Sequence, residues 1–343
     1  MSIGNKCGYI FNGINKNIIK KEKKDNNIYN NLNKINTIDI NEVENYKKEL
    51  ENIKIKRNIS EALHMAIYEE MKRDKKVYVL GEDVGLYGGS YNVTKNLAHL
   101  FGFARVLDTP ICENAFMGLG IGSSINGLRP IVEVIRGPGG VGKQLGPEHS
   151  QRIESYIMSI PGIKIVACST PFNARGLLKS AIRENNPVLF LEHVLLYNKE
   201  DDIPILPYTL PIDKAEIVKK GNDLTILCYG ITRHLAIEAS KELSNIGIDV
   251  EIIDLISLKP FDLETIKYSL EKTKKCLILD ESAGFGGIGA ELYSQIVENF
   301  SSILSKKPVR LCTKDVPIAY SSKFEEACII KKEDIIYMAT YMT

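Results

Sequence analysis

The sequence predicts an α/β protein of two doubly wound domains. Three observations carry that prediction. From Ile59 onward, short apolar runs alternate with segments of helical period. A polar, proline-containing stretch at 201–222 divides the series in two. Ahead of both lies a leader, residues 1–58, of a different composition. With 343 residues, 44% hydrophobic and 25% charged, the remainder is long and apolar enough to bury a core.

The leader holds 14 Asn, 11 Lys and one Arg against 7 acidic residues, a net +5. The whole chain carries +1, so residues 59–343 carry −4. A segment of that composition buries little and is predicted to be disordered. The basic excess therefore sits in a tail and gives no reason to expect a nucleic-acid partner. A transit peptide is also basic but rich in Ser and Arg; an AT-rich coding bias accounts for the leader equally well. No run of 18 apolar residues is present, which predicts no membrane span, and no apolar segment follows Met1 as in a secretory signal.

The first domain is predicted at 59–200. Ile59, Leu63, Ala66, Ile67 and Met71 fall at helical spacing. VYVLG, Val77 to Gly81, reads as a buried strand, followed by the acidic Glu82-Asp83 and the Gly-rich YGGSYN. RVLDTP is a strand stopped by Pro110, and ENAFMGLGIGSSING a helix whose small residues allow close approach to a neighbour. RPIVEVI is the next strand. SQRIESYIMSI reads as a helix, IKIVAC as a strand, PFNARGLLKSAIREN as a helix with Pro171 near its start, and PVLFLEH as a strand. Strands this apolar belong in a mostly parallel sheet covered on both faces. The second domain, 223–343, repeats the alternation. Its strands are DLTILCY, DVEIIDL, KKCLILDE and PVRLCT, and its helices ITRHLAIEASKELSNI, DLETIKYSLEKT and AELYSQIVENF.

The seven Cys make no CxxC pair, and several stand inside apolar runs, which predicts reduced, buried thiols and no zinc site. Two glycine motifs resemble nucleotide sites. GPGGVGKQ, Gly137 to Gln144, fits a P-loop, but Gln144 stands where Ser or Thr holds Mg²⁺, and Gly146-Pro147 interrupts the helix that receives phosphate. GFGGIG, Gly284 to Gly289, fits a dinucleotide fingerprint, but no carboxylate closes the next strand before Asp315. Both are set aside, with NAD or nucleotide binding kept as a rival function.

The chemistry lies elsewhere. LDTPICENAFMGLGIGSSINGLRPIVE (107–133), GEDV (81–84) and RGPGGVGKQLGPEHSQ (136–151) stand in one ordered series. It continues through PGIKIVACSTPFNARGLLKSAIRENNPVLFLEHVLLYN to the C-terminus. Over about residues 59–340 the chain resembles the beta subunits of thiamine-diphosphate-dependent pyruvate dehydrogenases, in wording closer to the plastid branch. The resemblance implies a pyrimidine-binding transketolase-like domain followed by a transketolase C-terminal domain. It implies Glu113 as the carboxyl group set against the cofactor's pyrimidine nitrogen, promoting proton loss from the thiazolium carbon. On residue physics alone, Glu113 reads as an acid at a helix N-terminus. His149, in EHSQ, matches the family's active-site histidine, able to meet a substrate carboxylate or shuttle a proton. Glu82 matches an acidic position near the cofactor. Ala181, Glu184 and Asn186 match a potassium-binding loop, with Glu184 where the family has Asp.

No GDG motif is present, so the resemblance assigns Mg²⁺ and diphosphate to an alpha subunit. It implies a heterotetramer of two alpha and two beta chains, transfer of an acetyl group to a lipoyl-bearing dihydrolipoyl acetyltransferase, and a plastid location of apicoplast type, the mitochondrial matrix being the alternative. A branched-chain 2-oxoacid dehydrogenase beta subunit and a non-catalytic beta-like scaffold are the rival readings. One departure bears on them. Relatives carry about thirty residues of helix and strand between Glu133 and Val134, the length of a crossover. Here the halves fuse, and neighbouring parallel strands need such a connection. The missing stretch includes an aromatic residue that stacks on the pyrimidine and part of the subunit contact. A mis-spliced or misread gene product explains this best, ahead of an inactive isoform or a tolerated loss. The transcript across codons 125–145 tells them apart.

Overall fold

The computed structural model describes residues 53–134 and 139–343. Most of the leader, on which the disorder prediction falls, lies outside these residues. The described leader residues include a strand, β1 (Lys54–Asn58), so regular structure begins before Ile59. Asn58 then caps α1 (Ile59–Arg73), its side chain accepting from Glu61 N while the Glu61 carboxylate accepts from Asn58 N. β2 (Val77–Gly81), α2 (Leu97–Phe101), β3 (Val106–Asp108), α3 (Glu113–Ile125) and β4 (Arg129–Glu133) follow. Next come α4 (Gly146–His149), α5 (Glu154–Met158), β5 (Lys164–Ala167), α6 (Pro171–Arg183), β6 (Val188–Leu191) and β7 (Glu200–Pro204). The last third holds β8 (Glu216–Lys219), β9 (Leu224–Cys228), α7 (Ile231–Asn245), β10 (Val250–Asp254), β11 (Ser257–Lys259), α8 (Leu263–Thr273) and β12 (Cys276–Ala283). It ends with α9 (Ile288–Phe300), β13 (Val309–Thr313), α10 (Ser322–Glu326) and α11 (Lys332–Met342).

The described chain forms two units. Residues 53–55 with 202–207 make a small one, in which Ile205 N donates to Ile53 O at 3.0 Å. All else belongs to the other. Its largest sheet runs β13-β12-β9-β10-β8. The first four strands are parallel and β8 is an antiparallel edge. Side chains alternate along β9, as a pleated strand requires. Leu224, Ile226 and Cys228 join Ala236, Leu243, Ile335 and Met342 in one core. Leu227 and Tyr229 join Ile266, Ile288, Leu292 and Ile296 in the other. Ile165, Ala167 and Leu191, from β5 and β6, belong to that second core too. The predicted 201–222 linker is not plain coil, because β7 and β8 both use it.

The single parallel sheet expected of the first domain is two sheets of three strands. β3-β2-β4 is wholly parallel. In β11-β5-β6 the β5–β6 pair is parallel, and β11 joins antiparallel from beyond the linker. β4 and β6 are the facing edges. At their amino ends, Arg129 donates to Ile182 O at 3.2 Å, Glu184 O at 2.8 Å and Asn185 Oδ1 at 2.9 Å. At their carboxyl ends, Glu133 feels the charge of Glu192. Among the described residues, no backbone hydrogen bond joins the two strands. Every residue of β4 is half-buried, whereas all of β2 is buried. The strand RPIVEVI ends at Glu133, at the junction where the crossover is missing.

α1 and α6 cover this half through ion pairs. Arg175 and Lys179, both buried, pair with Glu69, and Arg183 Nη2 lies 2.6 Å from Glu70 Oε1. α3 approaches β4 at Gly120, where an added Cβ would stand 2.6 Å from Val132 Cγ2. At Gly118 and Gly122 nothing lies within 4 Å, so the small-residue argument applies to one glycine of three. Cys168, Cys228 and Cys276 are buried free thiols as expected, but Cys112 is exposed.

Candidate active site at the carboxyl edge of the sheets

The carboxyl ends of parallel strands gather four carboxylates. Glu82 follows β2, Asp108 closes β3, Glu133 closes β4, and Glu192 follows β6. Gly81 pairs with Asp108 on one side and Glu133 on the other. Thr109 N donates to Gly81 O at 2.9 Å, so the turn toward α3 crosses the end of β2. Glu113 is the first residue of α3, whose cap, Cys112, makes no side-chain hydrogen bond. Glu82 Oε1 is buried with no hydrogen-bond partner among the described residues. A buried carboxylate oxygen in that state calls for a donor.

Burial, and then the neighbouring Glu192, push the Glu133 carboxyl up to about 7. Burial also raises Glu192, against the Tyr197 hydroxyl that donates to it. Tyr197 stacks on Tyr91 with ring centroids 4.0 Å apart. Gly89 lies over Glu133 with φ +75°, and a Cβ there would stand 2.9 Å from Glu133 Oε1. Sequence reasoning gave Glu133 and Glu192 no role. The signal available was position: each ends an apolar strand where α/β sheets bind ligands.

His149 ends α4 and is exposed, reached through the loop Gly139–Leu145. That loop turns through left-handed conformations at Gly140, Gly142, Gln144 and Gly146, with φ of +107°, +100°, +56° and +71°. Its amides point at carboxylates of the last third of the chain. Val141 N donates to Glu281 Oε1 at 3.3 Å. Gly142 N and Gln144 N donate to Glu325 Oε1 and Oε2 at 2.7 and 3.1 Å. Glu281 also meets His193 Nε2 at 2.6 Å and Arg152 Nη1 at 3.4 Å. His193 Nδ1 accepts from Leu195 N at 3.1 Å, so Nε2 carries the proton and donates to Glu281. Burial alone would raise Glu281; His193 and Arg152 more than offset it and hold the carboxyl at about 2.

Both glycine motifs are thereby explained. In GPGGVGKQ the amides that would cradle a phosphate already hold Glu281 and Glu325. In GFGGIG, Gly289 N donates to Asp280 Oδ2 at 2.6 Å, filling the helix N-terminus from within. A Cβ at Gly287 or Gly289 would meet that same oxygen at 2.7 or 2.9 Å. These glycines let backbone close on internal acids.

The loop read as a potassium site does bring Ala181, Glu184 and Asn186 together. Glu184 N donates to Ala181 O, and the Glu184 carboxylate accepts from Asn186 N at 3.3 Å. Its other oxygen meets Lys164 Nζ at 2.6 Å, which holds the carboxyl low. Arg129 occupies the nearby carbonyls of Ile182 and Glu184.

This arrangement has the form of a transketolase-type fold. The transketolase pyrimidine-binding domain family matches 56–135 and 131–199, and the transketolase C-terminal domain family matches 213–335. A split-gene transketolase described as an inactive beta4 tetramer superposes with a TM-score of 0.69 over 83% of this chain and 97% of that one, at 21% identity. Among curated proteins, pyruvate dehydrogenase E1 component subunit beta of Gracilaria tenuistipitata var. liui is 52% identical over 309 residues, covering 80% of this chain and 96% of the relative. The Mesostigma viride protein of that name is 52% identical over 313 residues (82% and 96%). The chloroplastic beta-4 protein of Oryza sativa subsp. japonica is 49% identical over 309 residues (80% and 77%). The chain belongs to the pyruvate dehydrogenase E1 beta-subunit family.

The same comparisons bear on the junction. The pyrimidine-binding match comes in two stretches that share 131–135, so IVEVI is matched twice. The 309 positions aligned with the Gracilaria protein draw on 80% of 343 residues, about 274, which leaves about 35 without a counterpart here.

Proposed function

We propose that this chain is the beta subunit of a pyruvate dehydrogenase that holds thiamine diphosphate jointly with an alpha subunit, two of each forming the enzyme. The observation that carries the reading is the placement of Glu82 and Glu113 at the carboxyl edge of one parallel sheet, in a chain about half identical to such beta subunits. The bare Glu82 oxygen fits a ligand that brings N–H groups, as an aminopyrimidine does. Bound there, the cofactor supplies a nucleophilic carbon and an electron sink for decarboxylation of pyruvate. Glu113 holds or releases a proton at the pyrimidine nitrogen, and His149 meets the substrate carboxylate. Mg²⁺ and the diphosphate fall to the alpha chain, and the acetyl group passes to the lipoyl group of an acetyltransferase. α3 exposes Met117, Ile121 and Ile125 at helical spacing, an apolar face suited to a partner subunit. Chloroplastic relatives support a plastid location, for which fractionation of the source cells is the check. At Ala181, Glu184 and Asn186 the proposal is a potassium site in competition with Lys164 and Arg129. Greater thermal stability in potassium than in sodium would support it, and equal stability would remove it.

Reconstitution with a cognate alpha subunit, thiamine diphosphate and Mg²⁺ tests the function, read as pyruvate-dependent reduction of an artificial acceptor. We expect turnover once a relative's connection is inserted after Glu133, and a loss of about 10²- to 10⁴-fold in Glu113→Gln. The break between β4 and β6 favours a second reading, a scaffold subunit without turnover. Absence of activity with and without the insert would put that reading first.

A further inference from the structure

We propose that Glu325 is a positioning residue for His149, clamping the glycine loop from the far end of the chain. Glu325 lies in α10 and is 3% exposed. Among the described residues, no cation pairs with it. Its two oxygens are met by Gly142 N and Gln144 N, at 2.7 and 3.1 Å. A carboxylate buried on backbone amides alone makes short, charge-assisted hydrogen bonds that are costly to break. Gln144 has φ +56°, a conformation uncommon for a residue with a side chain, and the carboxylate accepts from its amide there.

A second contact from the same segment fixes the other end of the loop. Tyr320 lies against Gly146, where a Cβ would stand 2.2 Å from the ring Cζ. Leu195 closes on Gly142 in the same way, a Cβ there falling 2.7 Å from its Cδ1. Residues 142–146 are therefore held at both ends. α4 begins at Gly146, and His149 is its last residue. His149 follows Gly146 by only three residues, so whatever sets Gly142–Gly146 sets where the His149 backbone stands. Residues beyond β13 thus act on the placement of a residue from the first half of the chain. The consequence for turnover rests on the proposed role of His149; the clamp itself does not.

Glu325→Gln in the full chain tests this, because its amide nitrogen sets a donor against one of the two N–H groups. The Gly142 and Gln144 amides should exchange about ten- to a hundredfold faster. The NMR titration midpoint of His149 and its rate of carbethoxylation should both change, while β12 amides keep their protection. An unchanged His149 titration and modification rate would overturn the proposal even if the loop amides exchange faster. If Glu325→Gln does not fold, Glu325→Asp keeps the charge but falls short by one methylene and is read in the same way. His149→Ala in the reconstituted enzyme separates the two readings. Unchanged turnover there, with a shifted titration in Glu325→Gln, sinks the site and leaves the clamp. Lost turnover with an unshifted titration does the reverse.

Discussion

Glu133 shows how far one side chain can depart from its appearance in a sequence. Half-buried near Glu192, it keeps its proton to about pH 7 in the folded chain, against 4.5 ordinarily. The stability of the protonated form is therefore complete below pH 4.5 and lost as pH rises through 7. Glu133→Gln cannot ionise, so its advantage over the parent should grow across that window. It should reach about 1–3 kcal/mol at pH 8 in urea unfolding. Glu281 behaves oppositely. Held at about 2, it stabilises above 4.5 and fails as pH falls toward 2. Glu281→Gln should flatten the acid limb of stability, measured from pH 5 to 2. Neither residue was legible as special, because the groups that shift them come from distant parts of the chain: Glu192 for Glu133, and Arg152 and His193 for Glu281. The roles proposed for Glu113, His149 and Glu82 rest on their ordered motifs alone.

At the scale of elements, period carried most of the information. VYVLG, the helical spacing from Ile59 and Pro171 at the start of α6 are local facts, and each element formed where they put it. SQRIESYIMSI is helical only over Glu154–Met158. β11, three residues long, has no local signature; its partner β5 lies across the linker. α3 offers a sharper check on why its glycines are there. Gly120→Ala should destabilise the isolated chain by about 1–3 kcal/mol, since Val132 blocks the new methyl. Gly122→Ala, with open space around it, should stabilise by about 0.5–1 kcal/mol. Thermal unfolding of the pair decides it, and equal effects would mean that α3 does not rest on β4.

For the molecule as a whole, the alternating α/β plan was readable from apolar runs, and the interrupted junction from the resemblance, with the crossover that parallel strands require as its physical reason. That the interruption would leave two three-stranded sheets was not, since pairing partners are fixed by tertiary approach rather than by any run of residues. Inserting a relative's connection after Glu133 should supply a strand between β4 and β6 and join them into one sheet. Amide protection appearing across both edges is the measurement that checks it.

Without such a strand, β4 and β6 each keep a row of backbone N–H and C=O groups that no strand among the described residues pairs with. Strands in that condition template one another, and a second copy of the protein is the nearest supply. The unassembled chain should therefore tend to stick to itself through added strands, its light scattering rising steeply with concentration. The inserted form should stay clear under the same conditions, which makes solubility an inexpensive report on whether the sheet has closed.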